Sequence, residues 1–207
     1  MNLPILWYFA DPMCSWCWGF SPVIETLREH DRDRMKIALV LGGLRHETAP
    51  MPAAQRDDIL HHWHAVHERT GQAFRFDGAL PDGFVYDTEP ACRAVVAMGG
   101  LDPALIFALF KAIQTAFYAE GRDVTQADVL AGLAAGLGVE AARFRQAFDS
   151  DDARARTQAH FRQTRQACVR GFPTLILQQD TQLHTVSTGC ETLDSVRDAI
   201  ARHLPPA

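Results

Sequence analysis

The feature that most constrains this chain is short. The apolar run Ile5-Leu6-Trp7-Tyr8-Phe9 leads almost at once into Cys14-Ser15-Trp16-Cys17, and a helical pattern opens behind it from Pro22 to Leu27. The run is made of strand-forming residues, so the cysteine pair falls where a strand hands over to a helix. Two cysteines three apart can close a disulfide across one helical turn, or supply half of a tetrahedral metal site. At a helix start the unpaired backbone N–H groups and the positive dipole end favour an anion, so a thiol placed there is stabilised as its thiolate. The setting points to a redox-active dithiol.

Composition narrows the remaining choices. With 207 residues and 47% hydrophobic content, the chain can bury one good core, or divide into a domain and an inserted subdomain. The net charge is -5 and no basic block or aromatic-interleaved basic stripe occurs, so a nucleic-acid partner is not expected. No stretch approaches the roughly 20 apolar residues of a membrane span, and no membrane partner is expected either. Met1-Asn2-Leu3-Pro4 carries no Lys or Arg, and cleavage of a leader here would remove the first strand, so the expected location is cytoplasmic. The cysteines are Cys14, Cys17, Cys92, Cys168 and Cys190. An odd number without a secretory leader predicts one functional pair and three buried thiols rather than a disulfide framework.

In chain order, a helix from about Cys14 to His30 should be kinked at Pro22, or take up its regular course there. Met35 to Leu41 reads as a second strand ended by Gly42-Gly43, which completes a parallel β-α-β unit. From about Pro50 to Arg170 the periodic segments are helical. Ile59, Trp63 and Val66 line one face of a helix ended by Gly71, and a helix from Pro90 should close at Gly99-Gly100. Asp102-Pro103 caps a very apolar helix, Thr125 with Asp128 forms a capping-box pattern, and Ser150 caps a long helix. That last helix carries Thr157, Phe161, Thr164 and Cys168 on one stripe, which predicts a buried Cys168. Thr174–Leu177 and Leu183–Ser187 then form a hairpin, and a helix from Thr192 to His203 is stopped by Pro205-Pro206. The pattern is β-α-β, a helical block, then β-β-α. An α/β domain of residues 1–48 and 171–207 is thus split by an all-helical subdomain of residues 49–170.

Other chemistry-bearing residues are fewer. At Phe172-Pro173-Thr174 a proline leads an apolar strand, as a cis bond beside the dithiol or as a trans proline that only starts the strand. A metal reading of the pair lacks a second C-x-x-C. His61, His62, His64 and His67 share a helix with the Ile59, Trp63 and Val66 packing stripe, which turns His61, His64 and Glu68 to solvent. Trp16 and Trp18 either form an aromatic rim for substrates or cover the cysteine pair. Cys92 and Cys190, near helix starts, read as core or surface thiols.

Cys14 and Cys17 behind a buried strand, the helical insertion, and Gly171-Phe172-Pro173-Thr174 ahead of a late strand are similar to the thioredoxin superfamily. Among its members the whole chain most resembles the DsbA-like thiol–disulfide oxidoreductases. The context Asp11-Pro12-Met13-Cys14-Ser15-Trp16-Cys17-Trp18-Gly19 resembles the cytosolic FrnE-like branch and the adaptors that deliver a redox regulator to the ClpXP protease. The resemblance implies a thioredoxin-like α/β fold, Cys14 as attacking thiolate, Cys17 as buried resolving thiol, and a cis Phe172–Pro173 bond facing them. Ser15, Trp16, Trp18, Phe172 and Pro173 become the expected substrate-binding residues. The dipeptide Ser15-Trp16 departs from the Cys-Pro-His-Cys of strongly oxidising relatives. Without an imidazolium between the cysteines, a less oxidising couple follows.

These readings lead to a disulfide reductase or isomerase acting through a mixed disulfide, on disulfide-containing proteins or glutathione. No cofactor or metal is called for beyond the redox-active pair, with glutathione a candidate co-substrate, and a homodimer is compatible with the sequence. Two other classes use the same scaffold. One is a non-catalytic protease adaptor or binding protein. The other is a kappa-class glutathione transferase or related isomerase, a group that typically has serine at the first cysteine position.

Overall fold

The computed structural model describes residues 3–204, so Met1, Asn2 and the expected helix stop at Pro205-Pro206 lie outside the described residues. Strand β1 (Ile5–Ala10) pairs in parallel with β2 (Lys36–Leu41), in register from Ile5 with Lys36 to Ala10 with Leu41. The crossover between them is helix α1 (Ser15–His30), which runs unbroken through Pro22. On the other side of β1, strand β3 (Thr174–Gln179) is antiparallel, and β4 (Gln182–Thr188) closes the hairpin, giving the order β2-β1-β3-β4. β1 is apolar throughout because both of its faces are covered. Leu6, Tyr8 and Ala10 enter the main core, while Phe9 packs with Val40 and Ile176 on the opposite face.

Between β2 and β3 the chain forms α2 (Ala53–Thr70), α3 (Glu89–Leu101), a 3-10 turn (Pro103–Leu105), α4 (Ile106–Tyr118), α5 (Ala127–Gly136), α6 (Ala141–Phe148) and α7 (Asp151–Gln166). Helix α8 (Leu193–Ala201) follows the hairpin. Trp63 and Val66 of α2, Met98 of α3, Ile113 of α4 and Phe161 of α7 are buried along with Leu6, Phe20 and Leu175 of the α/β part. The main core is contiguous through strands and helices. The close approach of α2 to α1 depends on Gly19, where a Cβ would lie 2.9 Å from the side chains of Thr70 and Val66.

Three local expectations fail for identifiable reasons. Helix α3 does not close at Gly99-Gly100 but runs through both to Leu101. Glycine costs about 1 kcal/mol in a helix interior. Here the missing side chains admit neighbours, since a Cβ on Gly99 would sit 3.1 Å from Ile106 and one on Gly100 3.1 Å from Arg156. The capping box at Thr125 and Asp128 does not form. Asp123 takes both the backbone N–H and the hydroxyl of Thr125, and Asp128 pairs instead with Arg145 at 2.9 Å. Cys168 is exposed rather than buried, because α7 ends before the stripe reaches it. Its N–H bonds the Arg165 carbonyl and the next N–H bonds that of Thr164, which leaves Cys168 as the left-handed residue (φ 55°) of a helix-ending turn.

Candidate active site

The register of β3 against β1 builds the site. Pairing Phe9 with Thr174 brings the segment before Thr174 alongside the turn after Ala10. The Phe172–Pro173 bond is cis, and the Cys14 thiol donates to the Phe172 carbonyl at 3.6 Å. Cys14 occupies the N-cap of α1 in extended conformation, and no acidic residue stands in the first turn of that helix. Cys17, one turn on, is fully buried behind it. Both are free thiols. Burial pushes the Cys17 thiol well above the ordinary range, and the neighbouring Cys14 sulfur adds to the rise.

The turn that carries Cys14 is held by Asp11, a completely buried carboxylate. Its side chain accepts from the backbone N–H groups of Met13 (2.8 Å) and Leu44 (2.8 Å), the hydroxyl of Thr88 (2.9 Å) and the thiol of Cys92 (3.4 Å). Its own carbonyl accepts from Cys14 N–H at 3.1 Å. One residue thereby fastens the cysteine turn to the loop after β2 and to the start of α3. Burial raises the Asp11 pKa, and the four donors pull against that rise without cancelling it. Tyr86 adds a further tie by donating to the Met13 carbonyl at 2.6 Å.

A groove of about 260 Å³ opens over Cys14, bounded by Trp16, Arg45, His62, Tyr86 and Phe172. The Arg45 guanidinium lies 5.0 Å from the Tyr86 ring centre, and His62 is exposed on α2. The Phe172 ring packs onto Gly42, where a Cβ would come 1.9 Å from the ring's Cζ. Ser15 and Trp16 are half-buried at the mouth, with the Arg69 guanidinium 5.7 Å from the Trp16 ring. Arg69 also donates to the Cys190 carbonyl at 3.0 Å, and Gly189 N–H bonds the carbonyl of buried Pro173 at 2.7 Å, so the loop before α8 braces this side. Trp18 turns the other way. It is buried, bonds the Ala73 carbonyl at 3.0 Å and stacks on Tyr118, so it packs behind the pair rather than forming a rim.

Asp11, Arg45, His62 and Tyr86 belong to the site but were not assigned to it from sequence. Asp11 had a usable signal, as a lone acid between an apolar strand and the cysteines. The others come from distant segments. His61, His64 and Glu68 are exposed on α2, as expected, with His64 stacked on Phe76 at 3.8 Å. Cys92 is a core thiol and Cys190 is half-buried.

This strand order, the dithiol at the start of α1 and the proline-led strand beside it define a thioredoxin-like fold carrying an inserted set of helices. Residues 5–201 match the DSBA-like thioredoxin domain, and the chain belongs to that family of disulfide oxidoreductases. It is 44% identical to a candidate protein disulfide isomerase from Nitrosomonas europaea, whose structure it matches with a TM-score of 0.92 over 97% of each chain. The cytosolic disulfide reductase DsbM of Pseudomonas aeruginosa matches at 32% identity and a TM-score of 0.81, over 96% of this chain and 97% of that one. The same enzyme in a structure with GSH matches at 33% and 0.79, over 96% and 98%. A curated relative, the ClpXP adapter protein SpxH of Halalkalibacterium halodurans, is 22% identical over 84% of this chain, which spans 58% of that protein's length. Among the described residues no helix is long and apolar enough to cross a membrane.

Proposed function

We propose that the protein is a cytosolic thiol–disulfide oxidoreductase working as a disulfide reductase through Cys14 and Cys17, on glutathione-type and protein disulfides. The observation that carries this is the placement of the Cys14 sulfur between the Phe172 carbonyl and the groove, with Cys17 buried directly behind it. The Cys14 thiolate attacks a substrate disulfide, forms a mixed disulfide and releases one substrate thiolate, which takes up a proton. The Cys17 sulfur then attacks Cys14, closes the Cys14–Cys17 disulfide and releases the second substrate thiol. Two electrons pass from the pair to the substrate, and an external thiol such as glutathione returns them.

Several features support glutathione-type substrates. Arg45 and His62 on the groove wall suit the carboxylates of such a peptide, and the helix start favours the anionic sulfur of each exchange step. The likeness to a cytosolic reductase also seen with GSH supports both the substrate class and the compartment. Ser15-Trp16 places no cation between the cysteines, in keeping with reduction rather than strong oxidation.

The likeness to an adapter protein favours a second reading, in which the scaffold docks a client without redox chemistry. Reduction of glutathione disulfide and of insulin by wild type and by Cys14→Ser separates the two. The reductase loses turnover in Cys14→Ser, and an absence of turnover in wild type would leave the docking reading.

A further inference from the structure

Two opposing electrostatic influences meet at the turn between β1 and α1. The start of α1 favours an anionic sulfur at its N-cap, Cys14. Just ahead of it, the Asp11 carboxylate is completely buried, and none of the four groups bonded to it carries a charge. One oxygen accepts the Met13 N–H at 2.8 Å. The other accepts the Leu44 N–H (2.8 Å), the Thr88 hydroxyl (2.9 Å) and the Cys92 thiol (3.4 Å). A backbone N–H can only donate, and one is fixed on each oxygen, so these partners favour the ionised carboxylate.

The backbone holds this charge close to the reacting residue. Met13, whose N–H bonds the carboxylate, is joined directly to Cys14, and the Cys14 N–H bonds the Asp11 carbonyl at 3.1 Å. Burial of the carboxylate keeps solvent and salt from screening it. Between the cysteines, Ser15-Trp16 supplies no cation to offset it.

We propose that Asp11 sets the redox poise of the Cys14–Cys17 pair, its buried charge opposing the Cys14 thiolate and making the reduced protein a stronger reductant; the inference rests on the oxidoreductase reading above. A like charge nearby raises the free energy of a thiolate, whereas the disulfide carries no charge for it to act on. The carboxylate therefore weighs on the reduced form alone and shifts the couple toward giving up its electrons. Asp11 acts through Cys14 and is a positioning residue. The same side chain that fastens the turn thus counters the helix start, which by itself would draw the pair toward oxidising chemistry.

Two variants of the full-length protein separate the charge from the anchoring. Asp11→Asn removes the charge and keeps an acceptor oxygen, while Thr88→Val keeps the charge and removes one donor from the same carboxylate. Each is brought to equilibrium with glutathione in alkaline buffer, where thiolate prevails, and the reduced fraction is compared with wild type. In Asp11→Asn the equilibrium should move about tenfold toward the reduced protein, a rise of about 30 mV in potential. Alkylation of Cys14 by iodoacetamide at neutral pH, followed in a Cys17→Ala background, should also be faster in Asp11→Asn. Thr88→Val should leave the equilibrium in place or move it toward the disulfide, because its carboxylate is less compensated. An equilibrium within about twofold of wild type in Asp11→Asn, or a matching shift toward the reduced protein in Thr88→Val, would overturn the proposal and leave Asp11 as an anchor only. Should Asp11→Asn not fold, Thr88→Val decides alone, since a move toward the reduced protein there contradicts the assigned role. Failure of the reductase reading looks different: wild type would show no turnover of disulfide substrates even though its cysteine pair still equilibrates with glutathione.

Discussion

The Cys14 thiol and the Phe172 carbonyl, 158 residues apart in sequence, meet at 3.6 Å across the paired ends of β1 and β3. The contact is steered from behind by Gly42, which leaves room for the Phe172 ring. Gly42→Ala should displace that ring, costing about 1–3 kcal/mol by overpacking. Reduction of glutathione disulfide should then fall by more than the fraction of protein unfolded explains. Urea unfolding alongside kcat/KM checks this, and unchanged kcat/KM would detach Phe172 from substrate handling.

Asp11 is the structural anchor of the cysteine turn. Asp11→Asn replaces an acceptor oxygen with an amide N–H₂ facing donors from Met13, Leu44, Thr88 and Cys92. The expected loss is roughly 2–3 kcal/mol of stability in urea titration. A more stable Asp11→Asn would mean that the burial penalty of the carboxylate outweighs its four bonds.

His160 makes stability pH-dependent on the acid side. Its Nδ1 accepts the Leu41 N–H at 3.2 Å, so the neutral ring is the one that fits, and burial first and Arg156 second hold its pKa below the ordinary value. The stability it contributes is complete above the unfolded-state value and is lost as the pH falls through the folded-state value. Wild type should therefore lose Tm between pH 7 and pH 5 more steeply than His160→Gln, which keeps an acceptor without titrating. Parallel Tm curves would remove His160 from the balance.

The thiols should differ in reactivity by position. In the reduced native protein, Cys168 is the exposed one, while Cys92 and Cys17 are buried. In a background with Cys14 and Cys190 both replaced by Ser, titration with a thiol-specific chromophore should show a fast phase that disappears on adding Cys168→Ser, and Cys92 should react only on unfolding. A fast phase that persists after Cys168→Ser in that background would contradict the ending assigned to α7.

Much of this organisation was legible along the chain, because it is local. The apolar β1, the Cys14–Cys17 spacing, the packing stripe of α2 and the caps at Gly71 and Ser150 each declare themselves within a few residues. What escaped was non-local or hidden by type. Asp11 gains its meaning only where Leu44 and Thr88 meet it, and Arg45, His62 and Tyr86 share a groove only after β2, α2 and α3 are packed. Cys168 misled because a helical stripe does not say where its last turn unwinds.

The central claim is that Cys14 exchanges with substrate and Cys17 resolves. Intact-mass analysis of Cys17→Ala after exposure to glutathione disulfide tests it most directly. With Cys168 also replaced by Ser, one glutathionyl group is expected, lodged on Cys14 and persisting, where the protein that keeps Cys17 passes on to the internal disulfide. A Cys17→Ala protein that carries no adduct on Cys14 would contradict it.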